Sequence, residues 1–144
     1  MHNKGFTLIE LLLSLALMAL LAVMSVPVYQ SFQVRNDLDI AAVTLAQTLR
    51  RAELLSQAVD GDSTWGVRIE SGFITLFKGA NYGARDFNFD EKLIVPTSIT
   101  QSGAQEFVFA KLSGAPQSTG TVIFTSSINE TRTITVNARG TVGY

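Results

Sequence analysis

The chain has 144 residues and a formal net charge of −1, with no cysteine and a single histidine, His2. The missing thiols exclude a disulfide framework and thiolate chemistry, and a body without histidine excludes Ser-His or Cys-His catalysis and His-rich zinc sites. The charge balance persists beyond residue 28, with ten Lys and Arg against eleven Asp and Glu, and gives no reason to expect a polyanion as the main partner.

The charges are unevenly spread. Residues 1–28 carry only Lys4 and Glu10, and the other 21 of 23 charged residues follow Val28. Phe6 to Pro27 gives 22 mostly apolar residues. As a helix they span about 33 Å at about 1.5 Å per residue, enough for a hydrocarbon core of roughly 30 Å. The run is too long for a secretory signal peptide and leads into Pro27 and Tyr29 rather than a cleavage site. A membrane segment over 6–28 is predicted, with Lys4 and the initial amine favouring a cytoplasmic N-terminus. Glu10 is the anomaly. A carboxylate in a spanning helix costs about 2.5–3.5 kcal/mol at the centre and less near the end, so it calls for a partner. Within the chain the candidates are Lys4 or an amine created by processing.

Pro27 lacks an N–H and clashes with the preceding turn, which predicts a helix kink near Val23–Pro27. From Leu38 the apolar residues recur at Ala41, Ala42, Leu45, Leu49, Ala52, Leu55 and Val59. Those steps of three and four predict an amphipathic helix, giving a helical segment over 29–59 that ends at Asp60-Gly61-Asp62-Ser63. Arg50-Arg51 reads as part of its solvated face.

The period then changes to two. Residues 64–140 read as antiparallel β structure. Thr64–Glu70 and Phe73–Phe77 flank Ser71-Gly72 as a hairpin. Gly79–Lys92 reads as a loop, Leu93-Ile94-Val95 as a short strand before Pro96, and Glu106–Lys111 as another strand. Ser113–Gly120 reads as a loop. Thr121–Thr125 and Thr131–Asn137 form a last hairpin, followed by a turn over Asn137–Gly140 and a tail. The fold class is α+β, one long helix laid across an antiparallel sheet whose buried face carries Val67, Ile69, Phe107, Phe109, Ile134 and Val136.

Three groups invite a chemical reading. Acidic or amide oxygens at Asp86, Asn88, Asp90 and Glu91 resemble the start of a calcium loop. The glycine that such a turn needs is missing, no Glu closes the loop, and the alternation of Phe87 and Phe89 fits an irregular edge strand. Arg132 and Arg139 offer cations near the C-terminus, but they are separated, with Glu130 close by. Trp65, Phe73 and Phe77 read as core or sheet packing. No metal, cofactor or catalytic residue is assigned. Nothing here forms a nucleotide-binding loop or a recognisable pair of catalytic carboxylates, so an enzyme is not expected.

Lys4-Gly5-Phe6-Thr7-Leu8-Ile9-Glu10, directly followed by an apolar helix, resembles the leader and processing signal of type IV pilins and type II secretion pseudopilins. Leu45–Ala52, Val59, Trp65-Gly66, Ile123-Phe124 and Arg132–Gly140 are similar to the FimT/GspH-type minor pilins. The resemblance implies a pilin-like fold and residues 1–5 as a leader peptide. It implies cleavage by a prepilin peptidase between Gly5 and Phe6, N-methylation of Phe6, and a kink-forming proline at Pro27. The apolar helix would stay on the mature chain, with 6–28 in the inner membrane and 29–144 outside it. Glu10 would then pair with the Phe6 amine of a neighbouring subunit in a helical filament. The implied partners are other pilin or pseudopilin subunits, the peptidase and an inner-membrane assembly platform, in either a type IV pilus or a secretion pseudopilus. Some relatives of this type bind DNA in natural transformation, which is the alternative reading.

Overall fold

The computed structural model describes residues 5–143, the side chains of residues 24–27 excepted. One helix, α1 (Leu8–Gln57), is followed by eight strands. These are β1 (Trp65–Glu70), β2 (Phe73–Lys78), β3 (Asp86–Ile94), β4 (Ile99–Gly103), β5 (Glu106–Phe109), β6 (Gly120–Ser126), β7 (Thr131–Val136) and β8 (Val142–Gly143). The chain divides into two compact units, one ending at Gln33 and one beginning at Val34.

In the first unit every described residue from Gly5 to Gln33 is exposed, the apolar ones included. In the second unit α1 turns amphipathic. Leu38, Ala41, Ala42, Leu45, Ala46, Leu49 and Ala52 are all buried, at the helical spacing that puts them on one stripe. Leu55 packs against the core from its margin. The helix stops at Gln57, and Val59 is already in left-handed backbone at φ 54°.

The strands form two antiparallel sheets, ordered β3-β2-β1-β5 and β4-β6-β7-β8, where one sheet was expected. Only Ala104 and Gln105 separate β4 from β5, yet the two lie in different sheets. Gly103 makes this corner at φ 92°, and a Cβ there would collide with the Thr121 carbonyl. The Ala104 N–H donates to Thr121 O on β6 and the Ile69 N–H to Gln105 O, so the two sheets are tied at the crossing. Both turn their apolar faces to the same core. Val67, Ile69, Ile74, Leu76, Phe107 and Phe109 come from the first sheet. Val122, Phe124, Ile134 and Val136 come from the second.

Two segments depart from the sequence reading. The second half of the expected loop 79–92 belongs to the nine-residue edge strand β3, paired to β2 from Phe73↔Ile94 to Lys78↔Asp86 across a bulge. Edge strands tolerate charge and amide side chains, which is why Asp86, Asn88 and Asp90 hid it. What remains, residues 79–85, crosses the outer face of the first sheet as a strap. There Tyr82 lies edge-on to Phe77 with centroids 5.5 Å apart, and Phe77 is fully buried although it points away from the main core. β4 and β8 were not foreseen. β4 is polar over Thr100-Gln101-Ser102, and β8 spans two residues.

The start of the long helix as candidate functional site

Gly5 and Phe6 precede α1 in irregular backbone, and Phe6 is 85% exposed. No heavy atom lies within 4 Å of where a Gly5 side chain would begin. Lys4 lies outside the described residues.

Thr7 is the residue before the first helical position, and Glu10 lies three residues on. The Glu10 Oε2 accepts from the Thr7 N–H and from the Thr7 hydroxyl, both at 3.3 Å. In return the Glu10 N–H reaches the Thr7 Oγ1 at 3.4 Å. This is a capping box: two otherwise unpaired donors at the helix start are satisfied reciprocally. A carboxylate in the first turn also complements the positive end of the helix dipole. The sequence reading singled out Glu10 and missed Thr7, although Thr-x-x-Glu before an apolar run is the signature of such a box. The contacts are long, so the carboxylate keeps acceptor capacity for a further, charged partner.

Behind this cap the helix is apolar all round. Leu8, Ile9, Leu11, Leu12, Leu13, Leu15, Leu17, Met18, Leu20 and Leu21 are all exposed. Each would gain about 1.5–3 kcal/mol on burial, which the unit itself does not supply. Ser14 returns its hydroxyl to Glu10 O at 2.9 Å and Leu11 O at 3.0 Å, so its polar atom is hidden from an apolar environment. α1 is the one described helix long and apolar enough to cross a membrane. The backbone is helical through Pro27, whose ring, and the kink predicted for it, lie outside the described side chains.

The other candidates are drawn into separate contacts. Asp86 Oδ1 accepts from the Asn88 backbone and side-chain N–H groups at 3.1 and 3.0 Å. Asp90 pairs with Arg85 at 2.9 Å and Glu91 with Arg51 at 2.7 Å. These oxygens therefore point to different partners, and no group of three or more metal-ligating His, Cys, Asp or Glu occurs among the described residues. Arg132 is held by Asp39 of α1 at 2.7 Å, and Arg35 by Glu130 at 2.7 Å. Arg139 is exposed on the turn after β7. Trp65 and Phe77 are buried as read, whereas Phe73 stays 45% exposed at the end of β2.

The family model of the prokaryotic N-terminal methylation motif matches residues 1–26. Two solved structures share the fold, both of the minor pseudopilin EpsH from the type II secretion system of Vibrio cholerae. One aligns at a TM-score of 0.58 with 14% identity, over 74% of this chain and 94% of that one. The other aligns at 0.59 with 14% identity, over 76% of this chain and 94% of that one. The N-terminal match is to that methylation motif, and the α+β fold is the one seen in the minor pseudopilin EpsH.

Proposed function

We propose that the chain is a minor pilin or pseudopilin, a structural subunit of a type IV pilus or a type II secretion pseudopilus rather than an enzyme. A prepilin peptidase cuts between Gly5 and Phe6 and the new amine of Phe6 is methylated. The helix from Phe6 to Val28 holds the chain in the inner membrane with its N-terminus cytoplasmic, and residues 29–144 lie outside. An assembly platform then draws the subunit into a filament whose interior is built from such helices.

The observation that carries this reading is the methylation motif over residues 1–26, placed directly on a helix whose apolar side chains are all exposed where described. Moving that helix from lipid to other apolar helices exchanges one apolar surrounding for another and costs little. Glu10 gives the exchange a register. Its carboxylate, already aimed at the helix start, pairs with the Phe6 ammonium of a neighbouring subunit, and each charge neutralises the other. Mass spectrometry of the mature protein tests the reading. A chain beginning at Phe6 with one added methyl group supports it. A chain that keeps Met1, or one cut beyond Tyr29 and released, overturns it.

A further inference from the structure

The strap over residues 79–85 and the loop that follows β5 both approach the edge of β5. Ala80 and Asn81 from the strap, Gln117 and Ser118 from the loop, and Glu106 and Val108 from β5 line a cleft of about 290 Å³. That volume is at the lower limit of small-molecule sites, the size of one long side chain rather than of a cofactor. We propose that this cleft binds the lysine side chain of a partner polypeptide, with Glu106 receiving the ammonium group.

Both walls are fixed. The strap is held by Tyr82, whose N–H donates to Glu106 Oε1 at 3.0 Å and whose hydroxyl lies 3.5 Å from Glu70. Arg85 stacks 3.6 Å over the Tyr82 ring, pairs with Asp90 and donates to Tyr82 O at 2.6 Å. Asn81 turns the strap by accepting the Ala84 N–H at 2.8 Å. On the other side the Gln117 N–H donates to Val108 O at 2.8 Å and Ala110 N–H to Ala115 O at 2.8 Å, which pins the loop along the outer edge of β5.

The charge balance sets the ligand's sign. Arg68 is shared between Glu70 and Glu106, at 3.5 Å from each. Arg85 is committed to Asp90. Two carboxylates thus divide one guanidinium, and one negative charge remains in surplus beside the cleft. The geometry sets the type of cation. Glu106 Oε1 already takes the Tyr82 N–H and Oε2 faces Arg68, so a bidentate approach by a second guanidinium is blocked. An ammonium needs only one of the remaining lone pairs. Val108 gives the methylene stem an apolar wall. The amides of Asn81 and Gln117 stand at the rim, where they meet the peptide groups that flank a lysine but not a free amine. None of this depends on assembly into a filament.

The test is a nuclear magnetic resonance titration of the full chain in detergent micelles, read at the backbone amides of Asn81, Tyr82, Glu106, Gln117 and Ser118. The probes are Nα-acetyl-lysine methylamide, its Nε-acetylated form, the arginine analogue and n-butylamine. The lysine probe is expected to give saturable shifts confined to these amides, with a dissociation constant on the order of 1 mM. Glu106→Gln keeps an acceptor for the Tyr82 N–H and is expected to abolish the shifts. Gln117→Lys, which supplies an ammonium from within the chain, is expected to abolish them with the Tyr82 resonance in place. Absent shifts, or equal shifts from the Nε-acetylated probe, overturn the proposal. Equal affinity for the arginine probe overturns the ammonium assignment, and equal affinity for n-butylamine overturns the polypeptide assignment.

Discussion

Residues 8–33 and residues 38–57 of α1 are helical for opposite reasons. In the second stretch one stripe, from Leu38 to Ala52, is buried under two sheets, and the helix exists because tertiary packing covers that stripe. In the first stretch nothing is buried among the described residues, and leucines occur on every side. A helix apolar all round is built for an apolar medium. Ser14 only turns its hydroxyl back onto the helix, so the Thr7–Glu10 box at the start is the polar device that leaves a charged group exposed there. Structure that a chain completes by itself leaves a core; structure that it completes only with others leaves an exposed face and one anchored charge.

Substitution at Glu10 breaks that comparison most severely. Glu10→Ala is expected to insert into the membrane normally and to be depleted from filaments about ten-fold or more, because an ammonium buried without its counter-ion costs about 3–5 kcal/mol. Glu10→Gln separates the two roles of the side chain. The amide oxygen still accepts from Thr7, so the helix start is retained, but the charge is gone. Filament incorporation of Glu10→Gln at the Ala level, scored by immunoblot of sheared filaments, assigns the defect to charge pairing. Incorporation at the wild-type level assigns it to capping, and the filament register then needs another source. Thr7→Ala, which removes the cap alone, is expected to cost about 1 kcal/mol of local helix stability and to leave most incorporation intact.

The same contrast explains what the sequence disclosed. The first unit was legible because its constraint is local: a long apolar run, a motif and one misplaced acid. The helical stripe and the hairpins β1–β2 and β6–β7 were legible because their periods are written in consecutive residues, as in Thr131-Arg132-Thr133-Ile134-Thr135-Val136. The division into two sheets was not. It turns on Gly103, whose left-handed backbone sends the chain from β4 into the other sheet, and on Gln105 receiving the Ile69 N–H from 36 positions back in sequence. β3 was missed because an edge strand carries charge where an inner strand cannot. The cleft beside β5 was invisible for the same reason as the sheets: its facing residues Asn81 and Gln117 are 36 positions apart in sequence and meet only after folding.

Within the second unit the effects are smaller and measurable by thermal melting of the full chain. Phe124→Ala, which empties a fully buried site on β6, is expected to cost about 3–5 kcal/mol. Ser56→Ala is expected to cost about 1–3 kcal/mol, because the Trp65 N–H loses its acceptor at 2.9 Å in a buried setting. Here the helix end is specified by a hydroxyl, as its start is in the first unit. A neutral outcome for Ser56→Ala would show that water replaces the hydroxyl and that this end is less closed than its geometry implies. Val59→Gly acts in the other direction. A β-branched residue at φ 54° is strained, and its replacement is expected to gain about 0.5 kcal/mol, net of lost contacts.

The smallest effects lie at the acid end of the stability profile, where two carboxylates near the end of α1 act with opposite signs. Asp62 is held below its usual carboxylate range, first by the hydrogen bond from Lys111 at 2.7 Å and then by the charges of Lys111 and Lys78. A depressed carboxylate stabilises the fold above its unfolded value near 3.8, and that contribution is lost as pH falls through the lower folded value. Glu53 is shifted upward by burial. Its ionised form is penalised in the fold, so the penalty stands above the raised value and is relieved as pH falls through it. Asp62→Asn should therefore flatten the loss of stability at the most acid pH, while Glu53→Gln should raise stability slightly at neutral pH and remove the relief that comes as pH falls through the raised value of Glu53. Urea midpoints across that range read both slopes. Because Asp62 is fully exposed, its share should also shrink in high salt, whereas the Glu53 effect, which comes from burial, should not. Equal salt sensitivity at the two positions would mean that Glu53 responds to a neighbouring charge rather than to desolvation.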